Sequence, residues 1–318
     1  MDLLNGKIKS LYFRYLSAAF GSALISCIYG VVDMAMVGQY QGPEGSAALA
    51  VVSPLWNVIY SLGLLMGIGG SVIFSVKRGG QGKNNENQYF TAAVVGSVVL
   101  AGLAWVGLLL FERPLLTFFG ADESLLGIAQ TSMRYLGPDA LAIYGPIINV
   151  STFVQCCAYS VGQAAQPLIS INYGAGNGRR IRETLHLAIA TTTAFGVLWT
   201  ALSMACPNLY IRVFMSPTPE ILAMAPAIIR AYALSFLLLP FNIFSTYYFP
   251  AIMKPRAAFV VSVARGLVIS GGLILALPGL LGADSLWFAM PITELIMALY
   301  AAGAMRRATA ALPGLERA

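Results

Sequence analysis

The chain has 318 residues, of which 58% are hydrophobic and 10% charged, with a formal net charge of +6. Soluble domains carry about a quarter of their residues as charges. The composition therefore excludes a soluble globular protein and predicts a membrane protein built on apolar runs of about 18–20 residues, the length that crosses a hydrocarbon core of about 30 Å. The positive excess does not mark a nucleic-acid partner, because the basic residues sit in short connections between apolar runs.

In chain order, the basic opening MDLLNGKIKSLYFRYL runs into a Gly/Ala/Ser-rich helix without an A-x-A cleavage pattern, which reads as a first span rather than a removable signal peptide. Spans are expected at about 14–38, 46–76, 88–111, 140–170, 184–206, 221–249, 257–280 and 285–305, eight in all. A further apolar segment, 123–136, covers only about fourteen residues, or roughly 20 Å of helix, and is too short to cross. Residues 39–45, 207–219 and 278–284 read as Gly/Pro-bearing turns. Pro54, Pro146, Pro167, Pro240 and Pro250 fall within or at the ends of helices, where a kink can expose backbone groups to a cavity.

Charge orients these spans. With the N-terminus inside, fourteen Lys and Arg residues fall in cytoplasmic segments, whereas only Arg113, Arg134 and Arg212 fall outside. Both termini are then cytoplasmic. The four cysteines, Cys27, Cys156, Cys157 and Cys206, all lie in apolar helical segments, and neither a metal-ligand spacing nor a disulfide framework emerges from them.

Internal repetition organises the chain. Residues 48–58, ALAVVSPLWNV, are echoed by residues 140–150, ALAIYGPIINV, with Ala48/Ala140, Leu49/Leu141, Ala50/Ala142, Pro54/Pro146, Asn57/Asn149 and Val58/Val150 identical. The same register brings Gly70 onto Gly162, and after a slip GGQGKNNENQYFTAAV parallels GAGNGRRIRETLHLAI. Because the echoed spans run in the same direction, the two copies are parallel repeats related by an axis along the membrane normal, an arrangement of transporters built from two similar bundles.

Several stretches carry a family resemblance: VVDMAMVG at Val31–Gly38, GSAALAVVSPLWNVIYSLGLLMGIGGSVIFSVKRGGQG after it, and FVQCCAYSVGQAAQPLISINYGAGN later. They resemble the first, second and eighth helices of the multidrug and toxic compound extrusion (MATE) family. The resemblance implies twelve helices in two six-helix lobes. It also implies a monomeric secondary antiporter of the bacterial cytoplasmic (inner) membrane, exporting small organic cations in exchange for sodium ions or protons. No cofactor is implied beyond that coupling ion, and the partners are the transported cations and membrane lipids. The chain departs from the pattern in the middle: only one span and a stub separate the echoed helices, so family helices four to seven are largely missing around Arg134–Asp139. Residues 1–136 then form a partial N-terminal lobe of three spans plus a stub, and 137–318 a C-terminal lobe of five spans. A non-transporting remnant left by internal deletion, a flippase for lipid-linked sugars, and self-association of truncated chains are the alternatives.

Asp33 lies about 7–8 Å of helix rise from the outer end of the first span, a depth at which a carboxylate needs a cavity or a partner. The resemblance assigns it cation binding and proton coupling, and the competing reading is a helix-end cap. Arg265 and Glu294 stand near 13 and 18 Å above the cytoplasmic ends of adjacent helices and are expected to pair as internal glue of the C-terminal lobe. Tyr144, Asn149, Gln155, Tyr159, Gln163 and Gln166 give the echoed helix a polar face. With Asn57, they are candidates either for a substrate cavity or for interhelical hydrogen bonding. GAGNGRR lacks the Lys-Ser/Thr of a phosphate loop and reads as a tight turn, and the single histidine, His186, has no partners for a metal site or a triad. No Ser/His/Asp arrangement, paired-carboxylate site or nucleotide motif is seen, so the chain is not expected to be an enzyme.

Overall fold

The computed structural model describes residues 3–80, 86–111, 123–214 and 217–312, with side chains left aside at 26, 30, 31, 33–35, 37–58, 123–142 and 214. Every regular element described is helical. In chain order these are α1 (Ile8–Gly79), α2 (Glu86–Leu110), α3 (Glu123–Gly174), α4 (Gly178–Ala205), the short α5 (Pro207–Phe214), and then α6 (Pro219–Ala251), α7 (Pro255–Leu281) and α8 (Ala283–Ala310).

α1 is a single helical element of 72 residues where two spans and a turn at 39–45 were expected. A straight helix of that length would reach roughly 110 Å. Its two ends nevertheless meet the same neighbours. Arg180 donates to the carbonyls of Leu3 at 3.1 Å and Gly6 at 2.7 Å, while Gly79 packs on the Ile171 backbone. α1 therefore folds back on itself between Tyr29 and Ile59, and its arms Ile8–Tyr29 and Ile59–Gly79 run in opposite directions. The expected stub 123–136 is likewise joined to the expected span 140–170 in one continuous helix, α3, of 52 residues.

Among the described residues, seven segments are long and apolar enough to cross a membrane: the two arms of α1, then α2, α4, α6, α7 and α8. The expected eighth, 140–170, is helical, and its first residues, 140–142, lie among those whose side chains are left aside. α2 returns antiparallel to the second arm of α1, with Gly70 against Ala93 and Gly96 against Met66, and none of its residues is buried.

Helix ends follow local chemistry. Asn177 starts α4 by accepting from the Arg180 amide at 3.4 Å, just after Gly176 turns the chain at φ 68°. GAGNGRR is thus the tight turn expected. Thr218 caps α6, with Pro219 in its first turn. α6 then tightens into a 3₁₀ turn at Leu234–Leu237, since Pro240 has no N–H to give the Phe236 carbonyl. α7 carries a π turn at Ala264–Val268.

Two apolar clusters fill the C-terminal part. One gathers Leu168, Ile169, Ile181, Phe244, Tyr248 and Met305 with Tyr12 of the first arm. The other gathers Ile143, Ile147, Ile211, Ile229, Phe236 and Trp287. The first cluster also takes in Leu312, and Leu3 packs against it, so the described ends of the chain lie at the same end of the bundle.

Candidate functional site

The two copies of the repeat meet at one end of the bundle through a reciprocal contact. Gly79 of α1 packs on the backbone of Ile171 in α3, and Gly174 of α3 packs on the backbone of Val76 in α1. Residues 171 and 76, like 174 and 79, are 95 apart, the register in which GGQG and GAGN echo each other. Each copy thus offers the other the same two positions, the signature of a two-fold contact, here within one chain. Only glycine permits it: a Cβ on either residue would fall on a carbonyl group rather than on a side chain that can move.

Directly beside this crossing, α1 and α3 enclose a cavity of about 330 Å³ lined by Leu64, Gly67, Ile68, Ser71, Ser75, Gln163, Gln166 and Pro167. Gln166, 6% exposed, ties the walls together by donating from Nε2 to Ser71 Oγ at 3.2 Å and to the Ile68 carbonyl at 3.4 Å. Pro167 has no N–H, so the Gln163 carbonyl lacks its helical donor, and the helix wall gains a polar backbone group at the cavity.

The polar face expected on α3 divides in the structure. Gln163 and Gln166 come together at the cavity. Gln155 instead donates to Ser151 Oγ at 3.3 Å on its own helix. Tyr159 stands one turn from Gln163, its ring 6.3 Å from that of Tyr247, whose hydroxyl neighbours Gln163. Tyr144 lies farther along α3 against Tyr232 and Trp287, at ring distances of 6.4 and 6.3 Å, and Asn149 is half-buried between them and the cavity. The side chains of Asp33 and Asn57 lie outside the described residues.

Arg265 and Glu294 meet across α7 and α8, with Nε 2.6 Å from Oε1. Glu294 is fully buried, and Asn242 of α6, also fully buried, donates to its Oε2 at 2.6 Å and to its main-chain carbonyl at 2.8 Å. Three helices therefore converge on one carboxylate. Asn242 was absent from the expected site residues, although an Asn two positions after a mid-helix proline is a readable signal.

The cysteines correct the sequence reading. Cys27 of the first arm and Cys156 of α3 form a disulfide with Cα atoms 7.1 Å apart, whereas Cys157 and Cys206 are free. The pairing is invisible in sequence because 129 residues separate the partners. Among the described residues, no group of three or more His, Cys, Asp or Glu side chains could hold a metal ion.

Comparison with known proteins agrees with this architecture. The chain is 20% identical over 216 residues to Multidrug export protein MepA of Staphylococcus saprophyticus, an alignment covering 65% of this chain and 45% of that protein. The chain thus spans less than half the length of that curated relative. Among solved structures, it superposes on an outward-facing multidrug resistance MATE family transporter of the MOP superfamily with a TM-score of 0.73 at 13% identity, covering 97% of each chain. It superposes on a MOP superfamily transporter from Pyrococcus furiosus with a TM-score of 0.74 at 13% identity, again covering 97% of each. These likenesses establish the fold. The MatE family model matches twice, over residues 18–139 and 131–271, together well over half of the sequence and once for each copy of the repeat. The chain belongs to the MatE family.

Proposed function

We propose that this protein is a secondary antiporter of the bacterial inner membrane that moves organic cations outward in exchange for sodium ions or protons. The reciprocal contact between the two copies of the repeat carries this reading. It closes one end of a groove whose walls come from different copies, and the basic residues at that end, Lys77, Arg78, Arg179, Arg180 and Arg182 among them, support a cytoplasmic position for it. Rocking of the copies about this contact would open the groove to alternate sides. Asp33 supplies the exchangeable carboxylate, and Gln163, Gln166, Tyr159, Tyr144, Asn149, Gln155 and Asn57 are the wall residues available to a substrate. Such a substrate is an aromatic or alkyl ammonium compound, which the rings of Tyr159 and Tyr144 farther along α3 would attract through their faces.

The test is ethidium accumulation in a bacterial strain lacking its own efflux pumps. Cells expressing the chain should accumulate less dye than the empty vector, and Asp33→Asn should restore accumulation. Equal accumulation with and without the chain overturns active efflux. It would favour the second reading, a remnant without transport, which is motivated by the chain's spanning only 45% of its curated relative. The flippase reading loses ground because its two basic candidates are engaged: Arg265 by Glu294, and Arg230 by the Met204 carbonyl at 3.2 Å.

A further inference from the structure

Arg180 is a half-buried cation whose described partners are all neutral. Its Nη2 donates to the Leu3 and Gly6 carbonyls at 3.1 and 2.7 Å, and its Nε donates to Asn172 Oδ1 at 3.2 Å. A guanidinium carries five N–H donors. Those bonds use the donors on Nε and Nη2, so the pair on Nη1 has no acceptor among the described residues. Glu183, one turn on in α4, is taken by Arg179 at 3.3 Å. Lys7 follows Gly6 directly and Lys9 stands two positions on, both exposed and both without an ion-pair partner among the described residues. Positive charges from the start of α1 and the start of α4 therefore gather at one end of the bundle, and no carboxylate of the described residues balances them.

Immediately inward of these cations the surface is apolar. The first arm of α1 and α4 lie side by side, the Tyr12 hydroxyl donating to Thr191 Oγ1 at 3.1 Å and the Phe20 ring stacking on Phe195 at 6.2 Å. Phe13 is 54% exposed, sits one turn beyond Lys9 on the same helical face, and meets the Tyr12 ring edge-on at 5.4 Å. Both helices are long and apolar enough to span a membrane, so their shared end lies at headgroup depth and the aromatic seam lies in the hydrocarbon.

We propose that the mouth of the seam between the first arm of α1 and α4 binds the headgroup of an anionic phospholipid. Its phosphate accepts from Arg180 Nη1 and is flanked by the Lys7 and Lys9 ammonium groups, while an acyl chain lies along Phe13. Guanidinium–phosphate hydrogen bonds are charge-assisted, and basic pockets between spanning helices suit anionic headgroups. The exposed apolar surface of Phe13 selects a lipid over a free phosphate, because a soluble anion gains nothing from it. The bound headgroup would also steady the arginine that ties Leu3 and Gly6 to Asn172, two positions from the Gly174 crossing. The site does not depend on whether the chain transports.

The experiment is native mass spectrometry of the purified full-length chain titrated in detergent with dioleoylphosphatidylglycerol or dioleoylphosphatidylcholine. One tightly held phosphatidylglycerol per chain is expected, with roughly tenfold preference over phosphatidylcholine, and Arg180→Gln should remove most of that preference. Because Arg180 also holds the N-terminal segment, the double variant Lys7→Gln/Lys9→Gln is the second probe. Its side chains make no hydrogen bond among the described residues, and it should weaken phosphatidylglycerol binding several-fold while leaving phosphatidylcholine binding unchanged. Lys77→Gln is the control at the same end of the bundle, since its ammonium lies over the Tyr89 ring of α2, and it should bind as wild type does. Soluble glycerophosphoglycerol, which carries the same headgroup without acyl chains, should not displace the lipid at equal concentration. Equal affinity for the two lipids, an unchanged preference in the Lys7→Gln/Lys9→Gln variant, or an equal loss in Lys77→Gln would overturn the site. Displacement by glycerophosphoglycerol would overturn the lipid as its occupant and leave a free phosphate ester.

Discussion

The crossing of α1 and α3 can be tested by adding a single methyl group. In Gly174→Ala the new Cβ falls on the Val76 carbonyl, with the carbonyl carbon at 2.7 Å and the Cα at 3.0 Å. In Gly79→Ala it falls on the Ile171 carbonyl, with the carbonyl carbon at 2.8 Å. Ordinary contact begins at 3.4 Å, so the backbones must separate by at least 0.7 Å in the first variant and 0.6 Å in the second. The obstacle is backbone in both, so no rotamer change relieves it. Overpacking of this kind costs about 1–3 kcal/mol, which at 1.4 kcal/mol per tenfold shifts the closed contact toward opening by roughly 5- to 150-fold. The assay is the rate at which a membrane-impermeant maleimide labels Ser75→Cys in the cavity beside the crossing. Labelling should accelerate in both alanine variants and by similar factors, because the positions are equivalent in the two copies. The double variant should show less than the summed effect, since the first methyl has already parted the helices. Gly63→Ala is the control, because nothing lies within 4 Å of its Cβ position. Labelling at the control rate in either alanine variant would refute the reciprocal contact.

Other outcomes follow from the same structure. Without reductant, two of the four cysteines should resist thiol-reactive mass tags in the unfolded chain, and Cys27→Ser should expose Cys156 to tagging; four reactive thiols would refute the Cys27–Cys156 bond. Arg180→Ala removes donors to the Leu3 and Gly6 carbonyls and to Asn172 Oδ1 at 3.2 Å, so trypsin should cut after Lys7 or Lys9 several-fold faster than in wild type. An unchanged cleavage rate would mean that the N-terminal segment is held by something else. Asn177→Ala deletes the cap of α4 and should lower stability by about 1 kcal/mol in thermal unfolding, while Asn177→Asp should retain most of it. Gln166→Leu removes both hydrogen bonds across the cavity and should raise labelling of Ser75→Cys, though by less than the glycine variants, because it opens no backbone contact.

Much of the architecture was legible because membrane insertion restricts what a sequence can do. A bilayer demands long apolar helices and sorts basic residues to one face, so most spans could be placed from composition alone. Duplication left ALAVVSPLWNV and ALAIYGPIINV in place, which announced two copies with the same direction. Boundaries were less legible. The reversal placed at 39–45 falls within the stretch where α1 folds back, whereas the break before 140 was inferred from Gly and Pro and the helical backbone runs through it. Those residues only weaken a helix and do not oblige it to stop.

The site residues divide on the same physical ground. That Gln163 and Gln166 share a helical face follows from a period of 3.6. Their role opposite Ser71 and Ile68, and the lack of any such role for Gln155, depends on where α1 crosses α3. Spacing along the chain also cannot show that Cys27 reaches Cys156, or that Asn242 joins α7 and α8 at Glu294, because neither contact lies within one helix. The sequence by itself determined a membrane-embedded, all-helical, duplicated chain, since composition and repetition survive in one dimension. Only the tertiary structure decided which glycines of the two copies touch, because close approach of two backbones is a property of the pair and is written in neither helix alone.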